Sequence, residues 1–246
     1  MCGRYSITTP PEAMSRLFAL SGPISNFPAR YNIAPTQEVP VVRLAPLGEA
    51  RELAMLPWGL IPSWAKQGAK PLINARGESV ADKPSFRAAF KRRRCLLPAD
   101  GFYEWRRPEN GPKQPFNIAL RDGGLFAMAG IWETWVHPDG SEIDACAIIT
   151  TAANATLAPI HHRMPVILAP GDWDRWLKTP ETEAADLLPL LAPAPDDLLK
   201  AYEISTRVNR VANDGPELIA PLTPETGQAV NQTVPKKNDP EQGSLF

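Results

Sequence analysis

The run Arg94-Cys95-Leu96-Leu97-Pro98-Ala99-Asp100-Gly101-Phe102-Tyr103-Glu104-Trp105 decides the fold. Arg94 to Leu97 and Gly101 to Trp105 are short β-rich runs separated by a proline- and glycine-bounded break, each too short to be stable alone. Further strands are predicted on either side, at Val39 to Leu44, Leu53 to Leu56, Phe116 to Leu120, Leu125 to Ile131 and Ile143 to Thr150. Helical pattern is sparse. Thr9-Pro10-Pro11-Glu12 combines an N-cap threonine, first-turn prolines and a capping-box glutamate, which predicts a short helix over 9–20 with Leu17, Phe18 and Leu20 on its apolar face. Pro84 to Arg93 reads as a helix with a basic end, Asp172 to Lys178 as another carrying Trp173 and Trp176, and Glu181 to Lys200 as two helical pieces broken at Pro193 and Pro195. The elements are interspersed without a βαβ rhythm, so a mixed, mainly antiparallel α+β domain is expected. Periodicity ends near Pro224, which divides the chain into one domain, 1–223, and an exposed, flexible tail, 224–246.

A chain of 246 residues can bury a substantial core without disulfides or metal. With 43% hydrophobic and 22% charged residues, wholesale disorder is excluded. The chain has no apolar run long enough for a membrane helix and does not open on a basic segment followed by an apolar one, so a cytosolic protein is expected. Cys2, Cys95 and Cys146 show no C-x-x-C spacing, which argues against a disulfide framework or structural zinc and for a reducing compartment. The net charge of −1 conceals an asymmetry. Residues 61–113 hold 12 Lys/Arg against 5 Asp/Glu, while 171–200 hold 7 acids against 3 bases. One basic groove leading to Cys2 is therefore expected, drawing on Lys91-Arg92-Arg93-Arg94 and Arg106-Arg107.

Cys2 follows Met1, and a small second side chain permits removal of the initiator. The ordinary reading of such a cysteine is a small buried residue. Removal of Met1 would instead leave an α-amine and a thiol on one carbon skeleton. An amine of pKa ~7.7 to 8.0 attacks aldehydes to form a Schiff base, and the neighbouring thiol can then close a five-membered thiazolidine. Amide hydrolysis by an N-terminal nucleophile and redox sensing remain open.

Four further segments carry chemistry. Asn74-Ala75-Arg76-Gly77-Glu78 sets an amide, a guanidinium and a carboxylate at alternate positions, which an extended segment would place on one side; a turn residue and a surface ion pair are the alternative. Glu104 lies among aromatics, the setting that raises a carboxyl pKa, unless it is a solvated strand residue. His161 and His162 stand beside Arg163, and without a further Cys/His cluster they make a weak zinc site. Trp58 and Trp64 lie on a Pro/Gly-constrained loop and are either core aromatics or a stacking platform.

Together with Met1-Cys2-Gly3-Arg4-Tyr5, Tyr31-Asn32-Ile33-Ala34-Pro35-Thr36-Gln37 and Thr150-Thr151-Ala152-Ala153-Asn154, these strings resemble, in order, those of the SRAP family, the SOS-response-associated or abasic-site processing proteins. The resemblance implies a barrel-like β core flanked by short helices. It also implies binding to single-stranded DNA at an abasic site and a covalent thiazolidine between mature Cys2 and the ring-opened sugar aldehyde, with a lyase side activity and slow, Glu104-assisted reversal. Carried over, Cys2 is the nucleophile, Asn74 orients it, Glu104 is an acid/base near amine and sugar, and His161 is a second acid/base or sugar-binding group. His161 is chosen over His162 by the pattern His, any residue, Arg, Met, Pro. Arg76 and Arg163 are then phosphate binders, Arg4, Trp58 and Trp64 further DNA contacts, and Phe102 and Trp105 candidates for stacking. No cofactor, metal or membrane is expected, and the protein should be a cytoplasmic monomer, nucleoid-associated when on DNA. Gln242-Gly243-Ser244-Leu245-Phe246 is similar to the short peptide that docks on the bacterial sliding clamp; a random polar tail is the alternative. The rival functions are an N-terminal-nucleophile cysteine amidohydrolase or peptidase, including removal of its own Met1, and a non-covalent single-strand binding module.

Overall fold

The computed structural model describes residues 2–222 apart from Ser25, Leu47 and Glu49, so the 224–246 tail and its Gln242–Phe246 motif lie outside the described residues. Strands along the chain are β1 (Tyr5–Ile7), β2 (Arg30–Ile33), β3 (Glu38–Leu44), β4 (Arg51–Pro57), β5 (Asn74–Arg76), β6 (Arg94–Ala99), β7 (Gly101–Arg106), β8 (Gln114–Leu120), β9 (Phe126–Val136), β10 (Glu142–Ala152), β11 (Arg163–Pro165), β12 (Ile167–Leu168) and β13 (Leu199–Glu203). They form two sheets. The smaller has the order β13-β8-β7-β1-β2; the larger runs β11-β10-β9-β6-β3-β4, with β12 paired to β9 and β5 to β10. All named pairings are antiparallel except β5 on β10. Each sheet keeps two end strands, so the expected barrel-like core is in fact two open sheets sharing one hydrophobic interior.

The chain changes sheet within residues 94–105. β6 pairs β9 in the larger sheet, β7 pairs β1 and β8 in the smaller, and Asp100 alone lies between them. Its backbone N–H donates to Ser6 O at 3.0 Å. Its carboxylate accepts from the backbone N–H of Thr8 and Thr9 and from both threonine hydroxyls. That explains why Thr9 does not cap helix α1 (Pro11–Phe18) as expected: its hydroxyl is on Asp100 and Pro10 stands at the N-cap.

Helices α2 (Arg87–Arg92) and α3 (Trp173–Lys178) fall where the sequence predicts them. Stretch 181–200 differs. It is one 3-10 run, Glu181–Leu191, followed by irregular chain, and Leu199 already belongs to β13. Prolines at 189, 193 and 195 withhold the amide hydrogens an α-helix needs, while Ala184, Leu187 and Leu191 are still buried. No helix among the described residues is long and apolar enough to cross a membrane.

Gly130, in mid-β9 between Cys95 and Ile148, shows how tightly the larger sheet is packed. A Cβ there would lie 2.2 Å from Leu97 Cδ1, 3.0 Å from Cys95 Sγ and 3.2 Å from Ala147 O. Gly130→Ala is expected to destabilise the fold by about 1–3 kcal/mol. Chemical denaturation checks this, and an unchanged midpoint would contradict the packing.

Candidate active site

Three remote pieces of chain meet at Cys2. In the β1–β7 ladder Tyr5 faces Phe102, and Tyr103 N–H donates to Arg4 O at 3.0 Å. The chain before β1 thus runs alongside β7, and Cys2 comes close enough to Glu104 for the carboxylate's charge to act on its thiol. β5 supplies the second piece: its parallel register on β10, Ile148 opposite Asn74, brings Asn74 Nδ2 to 2.8 Å from the Cys2 carbonyl, to which it donates. The third piece is the loop from Ala153 to His162, closed by Ala153 N–H on His162 O at 3.1 Å and His161 N–H on Leu157 O at 2.9 Å. Asn154 anchors it, accepting from Leu157 N–H and donating to Ala194 O. His161 Nδ1 thereby sits 3.8 Å from Glu104 Oε1 and 3.0 Å from Arg163 N. The same Nδ1 lies 3.1 Å from Arg163 O, and the ring's tautomer decides which of the two backbone groups it engages.

Burial sets the protonation states. Glu104 is 3% exposed, and desolvation lifts its carboxyl from an ordinary 4.5 to about 7. Cys2 is fully buried; desolvation first, and the charge of Glu104 second, push its thiol far above the usual range. His161 is held below the usual imidazole value, chiefly by desolvation. Near neutral pH the site therefore holds a protonated thiol, a neutral imidazole and a carboxyl poised to give or take a proton.

The other expected contacts divide sharply. Trp58 is fully buried, packs edge-on against Tyr5 at 5.4 Å and donates Nε1–H to Ile73 O, so its ring is closed to a nucleobase; this corrects its reading as a DNA contact. Phe102 is also buried. Trp64, at 66% exposure, is open, and Trp105 borders a hollow of about 540 Å³ with Pro112, Lys113, Thr206 and Asn209. Arg76 is exposed. Arg4 is tied down by Asn32 Oδ1, Val208 O and Asn209 O. Arg163 is engaged by the carboxylate of Glu78, for which the sequence offered Arg76 as an alternative surface partner.

The expected basic track is interrupted. Arg94 points into the core, donating to the carbonyls of Phe90, Lys91, Trp176 and Thr179, because the last turns of α2 and α3 leave carbonyls without intrahelical partners. Arg93 pairs with Glu133 at 3.0 Å and Arg106 with Glu203 at 2.6 Å. Thr150 and Asn154 stand in one of the strings quoted above but were given no role; an asparagine just after a predicted strand is the local signal that could have marked the loop anchor. Among the described residues, no three His, Cys, Asp or Glu side chains converge as a metal set.

Titratable groups gathered beside one buried thiol, on a two-sheet scaffold, define an α+β protein with a cysteine–carboxyl–histidine cluster. The chain belongs to the SOS response associated peptidase (SRAP) family, whose sequence profile matches residues 1–211. It is 40% identical over 224 residues to the abasic site processing protein YoqW of Bacillus subtilis, covering 89% of this chain and 99% of that one. It is 33% identical to the abasic site processing protein HMCES of Gallus gallus over 214 residues, 76% of this chain and 62% of the relative. Among solved structures, a Bacteroides thetaiotaomicron protein superposes with a TM-score of 0.81 at 26% identity, covering 90% of this chain and all of that one.

The raised carboxyl pKa ties the stability of the fold to pH. Because the folded state holds the Glu104 proton more tightly than the unfolded chain, stability present below pH 4.5 is lost as pH rises to about 7. The loss is on the order of 3 kcal/mol. Glu104→Gln is expected to lack this loss and to exceed the parent above pH 7; denaturation midpoints across that range check it.

Proposed function

We propose that mature Cys2 forms a thiazolidine with the ring-opened aldehyde of an abasic site in single-stranded DNA, shielding the lesion. The observation that carries this reading is the cluster itself: Asn74 Nδ2 on the Cys2 carbonyl at 2.8 Å, with Glu104 and His161 3.8 Å apart beside it. The names of the relatives, abasic site processing proteins, point the same way.

The chemistry follows from the protonation states. The cyclic sugar opens when a base takes the C1′ hydroxyl proton and an acid protonates the ring oxygen, roles that Glu104 and His161 can divide. The Cys2 amine, freed by removal of Met1, adds to the aldehyde carbon; Glu104 protonates the resulting hydroxyl, which leaves as water and gives the iminium. The Cys2 thiol then passes its proton to the Glu104 carboxylate as sulfur bonds to the same carbon, closing the ring. The net change is loss of one water. Reversal runs the last step backwards, with Glu104 returning the proton to sulfur. If the iminium is not trapped, β-elimination breaks the strand, so a lyase side activity belongs to the same scheme. Trp64 and Trp105 offer stacking faces, and Arg4, Arg76 and Arg163 supply positive charge along the strand.

Incubating the mature protein with an abasic single-stranded oligonucleotide and running a denaturing gel tests the proposal. A covalent band is expected from the parent, absent in Cys2→Ala and formed about 100-fold or more slowly in Glu104→Gln and His161→Ala. A normal band from Cys2→Ala would sink the proposal. Turnover of a peptide with no crosslink would favour the amidohydrolase reading, and salt-sensitive binding without a crosslink the binding module.

A further inference from the structure

Arg163 is expected to bind phosphate, yet its outward edge is covered. Nη1 and Nη2 both meet the carboxylate of Glu78, the second at 2.9 Å, and Nη2 also donates to Thr150 O at 2.6 Å. The partners are unequal: the Arg163 side chain is 11% exposed and that of Glu78 54%. Arg163 is fixed by strand register, Ala152 opposite Arg163 on β10, and its backbone N–H supports the His161 ring. Glu78 sits in the three-residue 3-10 turn Gly77–Ser79 and faces solvent. The fixed member is thus the cation, and the movable member is the anion.

A carboxylate on a guanidinium fork has the two-oxygen geometry of a phosphodiester. We propose that Glu78 occupies the phosphate seat on Arg163 in the free protein, and that the DNA strand displaces it on binding. This rests on the single-strand DNA reading above and adds a residue to it. Two consequences follow. Glu78 keeps Arg163, and through it the His161 loop, aligned when no DNA is present. It also favours ligands that offer two oxygens to the fork. The low carboxyl pKa that the Arg163 contact gives Glu78 keeps the surrogate ionised across the physiological range.

Displacing one anion by another releases fewer counterions than filling an open arginine would, which gives the test its signature. Binding of an undamaged single-stranded oligonucleotide is measured by fluorescence anisotropy over a series of salt concentrations, in a Cys2→Ala background that cannot crosslink. Glu78→Gln is expected to bind several-fold more tightly at low salt, with a log K against log salt slope steeper by about 0.7. Adding Arg163→Gln should abolish both gains. If the Cys2→Ala protein binds and Glu78→Gln binds equally or more weakly, the surrogate role is overturned while the DNA reading stands. If neither binds, both fall. Should Glu78→Gln fail to fold, the nitrogen resonances of Arg163 in the Cys2→Ala chain serve instead: a shift on adding the oligonucleotide supports displacement, and unmoved resonances overturn it.

Discussion

A single hydrogen bond, from Asn74 Nδ2 to the Cys2 carbonyl at 2.8 Å, joins the chain entering the smaller sheet to a strand of the larger one. β1 brings Cys2 to this point and β5 brings Asn74, and neither sheet alone would fix the position of the thiol. Because Cys2 lies three residues before β1 begins, its backbone has little ladder of its own to hold it. The asparagine supplies what the strand does not. Much of the remaining architecture serves that meeting, from the one-residue change of sheet at Asp100 to the Asn154-anchored loop that delivers His161.

The acid beside Cys2 is held at a cost. Burying Glu104 opposes its ionisation, yet the same desolvation makes a carboxyl useful for moving protons near neutrality. The surrounding sheets offset this with close packing such as the Gly130 contact and with aromatic pairs including Phe18 on Trp173 at 4.5 Å. Stability gained in the core is traded for chemistry at its edge.

Much of this was legible in the sequence, and the remainder was hidden for identifiable reasons. The strands around 94–105 could be read because their signals are local: short β-rich runs with a proline and a glycine between them. Which sheet each strand joins depends on partners far along the chain, and no local signal reports it. Cys2, Asn74, Glu104 and His161 could be named from motif strings, and the fold brings all four together. Trp58 and Arg94 could not be placed, since a tryptophan packs as readily as it stacks, and an arginine in a basic run looks solvated until buried carbonyls claim it. The pairing of Glu78 with Arg163 was hidden for a related reason: Arg76 stands two residues away, whereas the true partner is 85 residues distant.

The central claim is that both the nitrogen and the sulfur of one residue end on one carbon of the substrate. Carbon-13 NMR of the protein–DNA adduct, made with an abasic oligonucleotide labelled at C1′, reads that carbon directly. The account predicts a tetrahedral carbon bearing one nitrogen and one sulfur. A trigonal imine carbon as the stable product would contradict it.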